Sequence, residues 1–393
     1  MSASASRTIT EISDWLSAHV RMLDDAGERC EAIVGRLREA GLPIARFVVA
    51  VRSLHPQADA FSAVWEEGGD IQFREHLLAN VDARERRLSP LFHATEEGRS
   101  SRHRLDGPPQ ADEGGIIQDL RDAGMTDYVV IALPFSDGSH RAMTFATRDP
   151  RGFGDRHVAI LYGLTQALAT TLEIRYLRHL AGTLMDTYVG TVAGRKVLDG
   201  AIKRGSGETI RAVIWFCDLR GFTALSERLS GAQLLETLNT CFDVMTLAIE
   251  AEDGEVLKFI GDAILAIFQP GGDDGDREAA ARALAAAQAA VRNLSAVNHE
   301  RESHGQPRIE CGIALHLGDL LYGNVGGRRR LDFTVIGPEV NLASRIESMT
   351  RELKRPVLVS ARFAEAHGGA FENLGRFAFK GVAERKTVLA PER

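Results

Sequence analysis

Cysteine is scarce in this 393-residue chain, and its four copies, Cys30, Cys217, Cys241 and Cys311, never fall in a C-x-x-C spacing. No disulfide framework is legible. Cys217 and Cys311 sit inside strand-like runs, which reads as reduced, buried thiols of a cytoplasmic protein. Long apolar runs are missing too. The most apolar helical stretch, Ala279 to Leu294, carries Arg282, Gln288 and Arg292. That suits an amphipathic surface helix and not a span of about 20 apolar residues. The first eight residues, Met1 to Thr8, hold no hydrophobic segment, so no secretory signal is expected. Basic residues are not in excess: 47 Lys and Arg against 54 Asp and Glu leave a net charge of -7. Non-specific nucleic-acid binding therefore has no support. There is no glycine-rich Walker loop, so any phosphate contact has to rest on metal ions and individual cations. Gly271-Gly-Asp-Asp-Gly-Asp276 lacks the spaced ligands and closing glutamate of a calcium loop. The better reading is a solvated loop whose Asp276 caps the next helix.

What is there looks globular. Hydrophobic content of 44% and charged content of 26%, on a length that suits two domains, are ordinary values. Ile12, Leu16, Val20 and Leu23 line one face of a helix expected over Thr8–Leu37. Ile44–Leu54 and Ala58–Trp65 read as strands, and Pro90–Gly115 reads as loop from its glycines and prolines. Asp127–Pro134 and Arg141–Thr147 read as strands paired around Ser136-Asp-Gly-Ser139. From residue 155 to about 185, Val158, Leu161, Leu164, Leu168 and Leu172 recur at spacings of three and four. That pattern predicts a helix with a continuous seam. It either caps the preceding domain or pairs with a second copy as a parallel dimer helix, and its extension past that domain favours the second. Gly190, Gly194 and Gly200 then break the pattern and suggest a hinge.

The most informative run is Val213-Ile-Trp-Phe-Cys-Asp218-Leu219, an apolar stretch that ends in a carboxylate before a glycine turn. A second such place follows, where two apolar runs flank the turn Gly261-Asp262. An unpaired anion at the end of a core strand is costly. The simplest reason for two is a hard divalent cation with phosphate oxygens as further ligands. Lys258 lies four residues before Asp262, and Asn341 and Arg345 are four apart, on one face of a predicted helix. Strand, helix, strand, strand, helix, strand is a ferredoxin-like order.

The motifs Phe216-Cys-Asp-Leu-Arg-Gly-Phe-Thr223, Lys258-Phe-Ile-Gly-Asp262, Gly312-Ile-Ala-Leu-His-Leu-Gly318, Tyr322-Gly-Asn-Val-Gly326 and Phe333-Thr-Val-Ile-Gly-Pro-Glu-Val-Asn-Leu-Ala-Ser-Arg345 resemble, in content, order and gaps, the class III nucleotidyl cyclases. The likeness covers roughly Glu208 to Leu389. It implies two Mg2+ or Mn2+ ions per active site, held by Asp218, Asp262 and the carbonyl of Leu219. It implies that Lys258 and Thr334, with Val335 beside them, contact the purine. A lysine here suits adenine, and threonine in place of the aspartate of many relatives marks a subgroup. Asn341 then holds the ribose, Arg345 stabilises charge on the α-phosphate, and Lys380 meets the terminal phosphates. In the family these groups come from two chains, so a homodimer with shared sites is implied. Pro338-Glu339 departs from the more usual Asp-Thr pair at the helix start. In the N-terminal part, the Asp-Gly turn and Arg151-Gly-Phe153 before a long helix resemble the end of a GAF-type sensor domain.

The expected architecture is thus α+β. A GAF-like regulatory domain over 1–154 precedes a dimer or linker helix over 155–207 and a ferredoxin-like βαββαβ cyclase domain over 208–393. The expected activity is conversion of ATP to 3',5'-cyclic AMP and pyrophosphate, under an unidentified small-molecule or protein signal. The alternatives are a guanylate cyclase, which Lys258 opposes, and a non-catalytic nucleotide-binding signalling protein, which the intact carboxylate pair and Arg345 oppose.

Overall fold

Alternation along one strand decides how the N-terminal unit is layered. In β5 (Asp127–Pro134), Val129, Ile131 and Leu133 point to one core, and Tyr128, Val130 and Ala132 to another. A sheet apolar on both faces needs helices on both. The computed structural model describes residues 3–55, 58–76, 87–108, 114–200, 203, 205–272 and 274–392. It packs as two units, Met1–Thr183 and Leu184–Arg393. In the first, β1 (Arg46–His55), β2 (Ala58–Glu66), β3 (Gln72–His76), β4 (Ser101–Arg104), β5 and β6 (His140–Thr147) form one antiparallel sheet, in the order β3-β2-β1-β6-β5-β4. Helices α1 (Ala3–Ala18) and α2 (Ala26–Glu39) cover one face. α3 (Pro90–Glu96) and α4 (Gly115–Asp122) cover the other.

Several expectations change here. The helix expected over Thr8–Leu37 is two helices joined by a 3-10 turn, Val20–Met22. Asp25 restarts the second by accepting the Glu28 amide at 2.8 Å. The loop expected over Pro90–Gly115 contains α3 and β4. Pro90 stands in the first helical turn, where a missing N–H costs nothing. The helix from 155 is α5 (Asp155–Gly163) followed by α6 (Thr165–Val189). Ile160, Leu161, Leu164 and Leu168 sink into the N-terminal core, so residues 155–183, expected as linker, pack with this unit. A buried ion pair closes it. Asp127, fully enclosed, takes Nη2 of Arg102 and the Phe153 amide, each at 2.8 Å. Gly152 (φ +68°) passes so close that a Cβ there would stand 2.6 Å from the Asp127 carboxylate.

In the second unit, β7 (Gly207–Leu219), β8 (Glu255–Ile260), β9 (Ala263–Phe268) and β10 (Cys311–Gly326) lie in the order β10-β7-β9-β8, the ferredoxin-like arrangement. The sheet extends through β12 (Val357–Ser360), β14 (Lys386–Pro391) and β13 (Phe371–Phe377), while β11 (Leu331–Ile336) pairs with β10. Trp215 and Cys217 pack under α9 (Gly231–Glu250) and the alanine-rich α10 (Gly275–Ser303). A short helix, α8 (Phe222–Arg228), precedes them. Ile214 and Phe216 face the opposite core, which includes Ala193 of α7 (Thr191–Leu198). The stretch expected as a hinge is therefore mostly a packed helix. Its Gly194 serves close approach, since a Cβ there would stand 3.0 Å from the Met185 backbone. Gly190 and Gly200, at either end of that helix, take left-handed angles, φ +92° and +94°. Asp276 also differs from expectation: it lies inside α10 and accepts from Nε of Arg211 at 2.8 Å instead of capping. All four cysteines are free and buried. Among the described residues, no helix is long and apolar enough to cross a membrane.

Candidate active site

Strand register brings the two aspartates together. Asp218, one residue before the end of β7, is the register partner of Ala263 in β9. Asp262, the last residue of the tight turn before β9, therefore lies beside it, and Gly261 makes that turn with φ +65°. Burial first, then the Asp262 charge and a hydrogen bond shared with that carboxyl, push Asp218 up to about 6, while the Leu219 amide works the other way. Two carboxylates this close cannot both carry charge cheaply unless a cation joins them. Their all-oxygen chemistry suits a hard ion such as Mg2+ or Mn2+. Among the described residues, no group of three or more His, Cys, Asp or Glu could enclose a metal. Such an ion would thus need backbone, water or phosphate oxygens to complete its shell.

Helix α11 (Pro338–Glu352) leaves β11 through Gly337 and runs against β7 and β10. It starts with Pro338 in its first turn. Leu342, Ala343, Ile346 and Glu347 are its buried face. Asn341 is exposed, and Arg345 is half-buried. The Arg345 guanidinium reaches Gly381: a Cβ there would stand 3.7 Å from Nη2. That places Arg345 next to exposed Lys380. Glu339 anchors the helix start. It accepts from Nε2 of buried His316 at 2.6 Å and from Arg362 at 3.2 Å. The His316 contact holds its carboxyl below the ordinary range.

Lys258 on β8 forms an ion pair with Asp332 of β11. Thr334, two residues on, is 5% exposed, and its Oγ1 is enclosed without a hydrogen-bond partner. Val335 and Leu219 are buried apolar residues. Three groupings result: Asp218 with Asp262, Lys258 with β11, and Arg345 with the Lys380 turn. Among the described residues, no hydrogen bond or ion pair joins the aspartate pair to Lys258, Thr334, Asn341, Arg345 or Lys380.

Residues 207–389 match the family described as the adenylate and guanylate cyclase catalytic domain. This segment is a class III nucleotidyl cyclase domain. Its relatives include an adenylate cyclase of Anabaena cylindrica, 39% identical over 163 residues, and adenylate cyclase 1 of Rhizobium meliloti, 32% identical over 146 residues. These alignments take in 40% and 37% of the chain. They span only 31% and 22% of those two proteins. Among solved structures, a bacterial light-regulated adenylyl cyclase aligns with 70% of this chain and 87% of its own, at TM-score 0.50 and 20% identity. That likeness concerns the fold. The adenylyl cyclase CyaB from P. aeruginosa aligns with 48% of this chain and 97% of its own, at TM-score 0.44 and 26% identity.

Two residues of the cyclase domain escape the motif reading. Asp332 precedes the Phe333 motif, and nothing in its spacing signals that it meets Lys258. Glu347 lies two residues past Arg345 and is 5% exposed. Burial, followed by the Asp218 charge, pushes its carboxyl up to about 7. Its position on the Ala343–Ile346–Thr350 stripe was the available signal, a charged residue at a buried helical position.

Proposed function

We propose that the chain is a metal-dependent adenylate cyclase that acts as a homodimer. The observation that carries this reading is the Asp218–Asp262 pair, with Asp218 raised to about 6 by burial and its neighbour's charge. Perturbed, paired carboxylates at the ends of core strands mark a catalytic metal site. Mg2+ or Mn2+ held by Asp218, Asp262 and the Leu219 carbonyl would acidify the ribose 3′-hydroxyl and neutralise the triphosphate. Two ions per site match the chemistry of attacking and leaving oxygens.

The remaining steps belong to side chains. The 3′-oxygen loses its proton and bonds to the α-phosphorus as the bond to pyrophosphate breaks. Arg345, planar and permanently charged, stabilises the extra negative charge that gathers on the α-phosphate. Asn341, one helical turn away, positions the ribose. Lys380 binds the departing phosphates. Lys258 donates to adenine N1, an acceptor, where guanine would present a donor. Thr334, with Val335 beside it, is the partner position on β11, and its hydroxyl, enclosed here without a partner, would accept from the adenine amino group once its side chain turns toward the base.

The split arrangement supports sharing between two chains, with the aspartates of one facing the base, ribose and phosphate contacts of the other. Phe259, Ile260, Leu321, Val325, Leu331 and Ile336 are between 38% and 51% exposed on strands of this domain, an apolar surface that a second copy would cover. On α6, Ile174 and Leu177 are exposed as well and suit a dimer helix. The N-terminal unit acts as the regulatory domain, with a GAF-like arrangement.

The test is an assay with ATP and GTP side by side. Cyclic AMP is the expected product, lost on chelation and restored by Mg2+ or Mn2+. Asp218→Ala and Arg345→Ala should each be inactive by at least about a thousandfold, and mixing the two should restore activity by forming one intact site per dimer. Full activity of Asp218→Ala contradicts the metal assignment, and no rescue on mixing contradicts the shared sites.

A further inference from the structure

The N-terminal unit contains a cavity of about 740 Å³ between α2, α6 and the sheet, within the size range of small-molecule sites. Its walls are mainly apolar, with Ile33 from α2, Val49 and Met143 from the sheet, and Leu168 and Leu172 from α6. Two guanidinium groups interrupt this lining. Arg29 donates through Nη1 to the carbonyls of Leu23 and Asp24, at 2.9 and 2.7 Å. Arg175 donates through Nη1 to the Asp24 carboxylate at 2.6 Å. Arg175 is 9% exposed, and its Nε is enclosed without a partner. Asp24, whose side chain is 92% exposed, is the carboxylate that pairs with Arg175, while the Arg29 hydrogen bonds go to backbone oxygens. Burial first, then the Arg175 charge, lowers the pKa of Arg29, and the nearby Asp25 and Asp24 charges work the other way. Exposed Arg178 and His179 add basic groups at the rim.

A guanidinium sunk against apolar walls, like Arg175 with its Asp24 partner out at the surface, is incompletely satisfied until an anion enters beside it. A free inorganic anion would satisfy the charge and leave the apolar volume empty. A neutral apolar molecule would fill the volume and leave the guanidinium charge of Arg175 facing it unmet. We propose that this cavity binds a small amphipathic anion, a carboxylate on an apolar body, with its acid group held by Arg175 and Arg29. The apolar body lies between the sheet and α6, against Leu168 and Leu172. Arg175 and these two leucines belong to the helix that continues to Val189, so the occupant would touch the element that joins this unit to the cyclase domain in sequence. The binding claim does not depend on the cyclase reading.

The experiment is calorimetric titration of the full chain with octanoate and with 4-phenylbutyrate, each compared with its neutral alcohol. The acids are expected to bind saturably, with the alcohols at least about tenfold weaker, since charge-assisted hydrogen bonds are lost. Arg175→Met should bring the acids down to the level of the alcohols. Ala63→Phe, which fills the cavity from β2, should abolish binding of both and keeps the test decisive if Arg175→Met fails to fold. Equal binding of acid and alcohol, undiminished acid binding by Arg175→Met, or no saturable binding of either acid at millimolar concentration would overturn the proposal. It would also be overturned if Ala63→Phe left acid binding intact but dissociated a dimer in sedimentation, because the occupant would then be a second copy of the chain.

Discussion

Glu347 shows how one side chain can carry a pH dependence that no motif announces. Its carboxyl lies up at about 7, through burial first and the nearby Asp218 charge second. A folded-state value raised above the unfolded one means that the native state prefers the protonated acid. The associated stability is fully present below about 4.3, the ordinary glutamate value, and is lost as pH rises through 7. Glu347→Gln keeps the shape and removes the charging step. The variant should be more stable than the parent at pH 8 by on the order of 1–3 kcal/mol, with the difference vanishing near pH 4. Asp218 charges in the same window but is common to both proteins. Denaturant titrations at both pH values measure this, and parallel pH profiles would rule out a buried titrating Glu347. At the same scale, Lys258→Glu should reverse the preference of the base site, lowering turnover of ATP relative to GTP by at least about tenfold. An unchanged ratio in a competitive assay would remove Lys258 from purine selection.

At the scale of elements, α11 and β10 depend on each other through a glycine. A Cβ at Gly312 would stand 2.1 Å from Oγ1 of Thr350 and 2.3 Å from Oε1 of Glu347. Gly312→Ala must push α11 away from the sheet or distort both side chains, an overpacking cost of about 1–3 kcal/mol. The same helix carries Asn341 and Arg345, so the fall in kcat should exceed what lost folding explains. Thermal midpoints and kinetics at a temperature where both proteins are folded separate the two effects. A variant equal to the parent in both would show that the close packing is dispensable. The motif Gly312-Ile-Ala-Leu-His-Leu-Gly318 marked this strand in the sequence, but not the reason for its glycines. The clash partners come from residues far along the chain: Thr350 and Glu347 for Gly312, and Glu339 for Gly318, where a Cβ would stand 2.7 Å from its Cγ.

At the scale of the whole molecule, the decisive property is the apolar surface left open on the cyclase domain. Val325 and Leu331, at opposite ends of the turn between β10 and β11, are 40% and 38% exposed. The double change Val325→Asp and Leu331→Asp touches neither the aspartate pair nor Arg345. It should weaken self-association by roughly 2–4 kcal/mol and reduce activity in proportion to the dimer lost. Sedimentation velocity and activity measured over a range of protein concentrations test this together. Full activity in a strictly monomeric variant would place a complete site within one chain.

The positions of Asp218 and Asp262 at strand ends, and of Asn341 and Arg345 on one helix, were readable from local pattern, because strand ends, tight turns and helical spacing are short-range properties. The roles proposed for Lys258, Asn341 and Arg345 rest on the resemblance to the class III cyclases. Partners made by register and packing were not readable. Asp332 meets Lys258, Glu347 sinks beside the aspartates, Asp276 turns to Arg211, and Gly194 packs where a hinge was expected. The cavity between α2 and α6, with its two arginines, likewise arises only when helices distant in sequence close over one sheet. Local pattern sets which groups the chain can offer. Long-range packing sets which of them face each other, and burial then sets their charge.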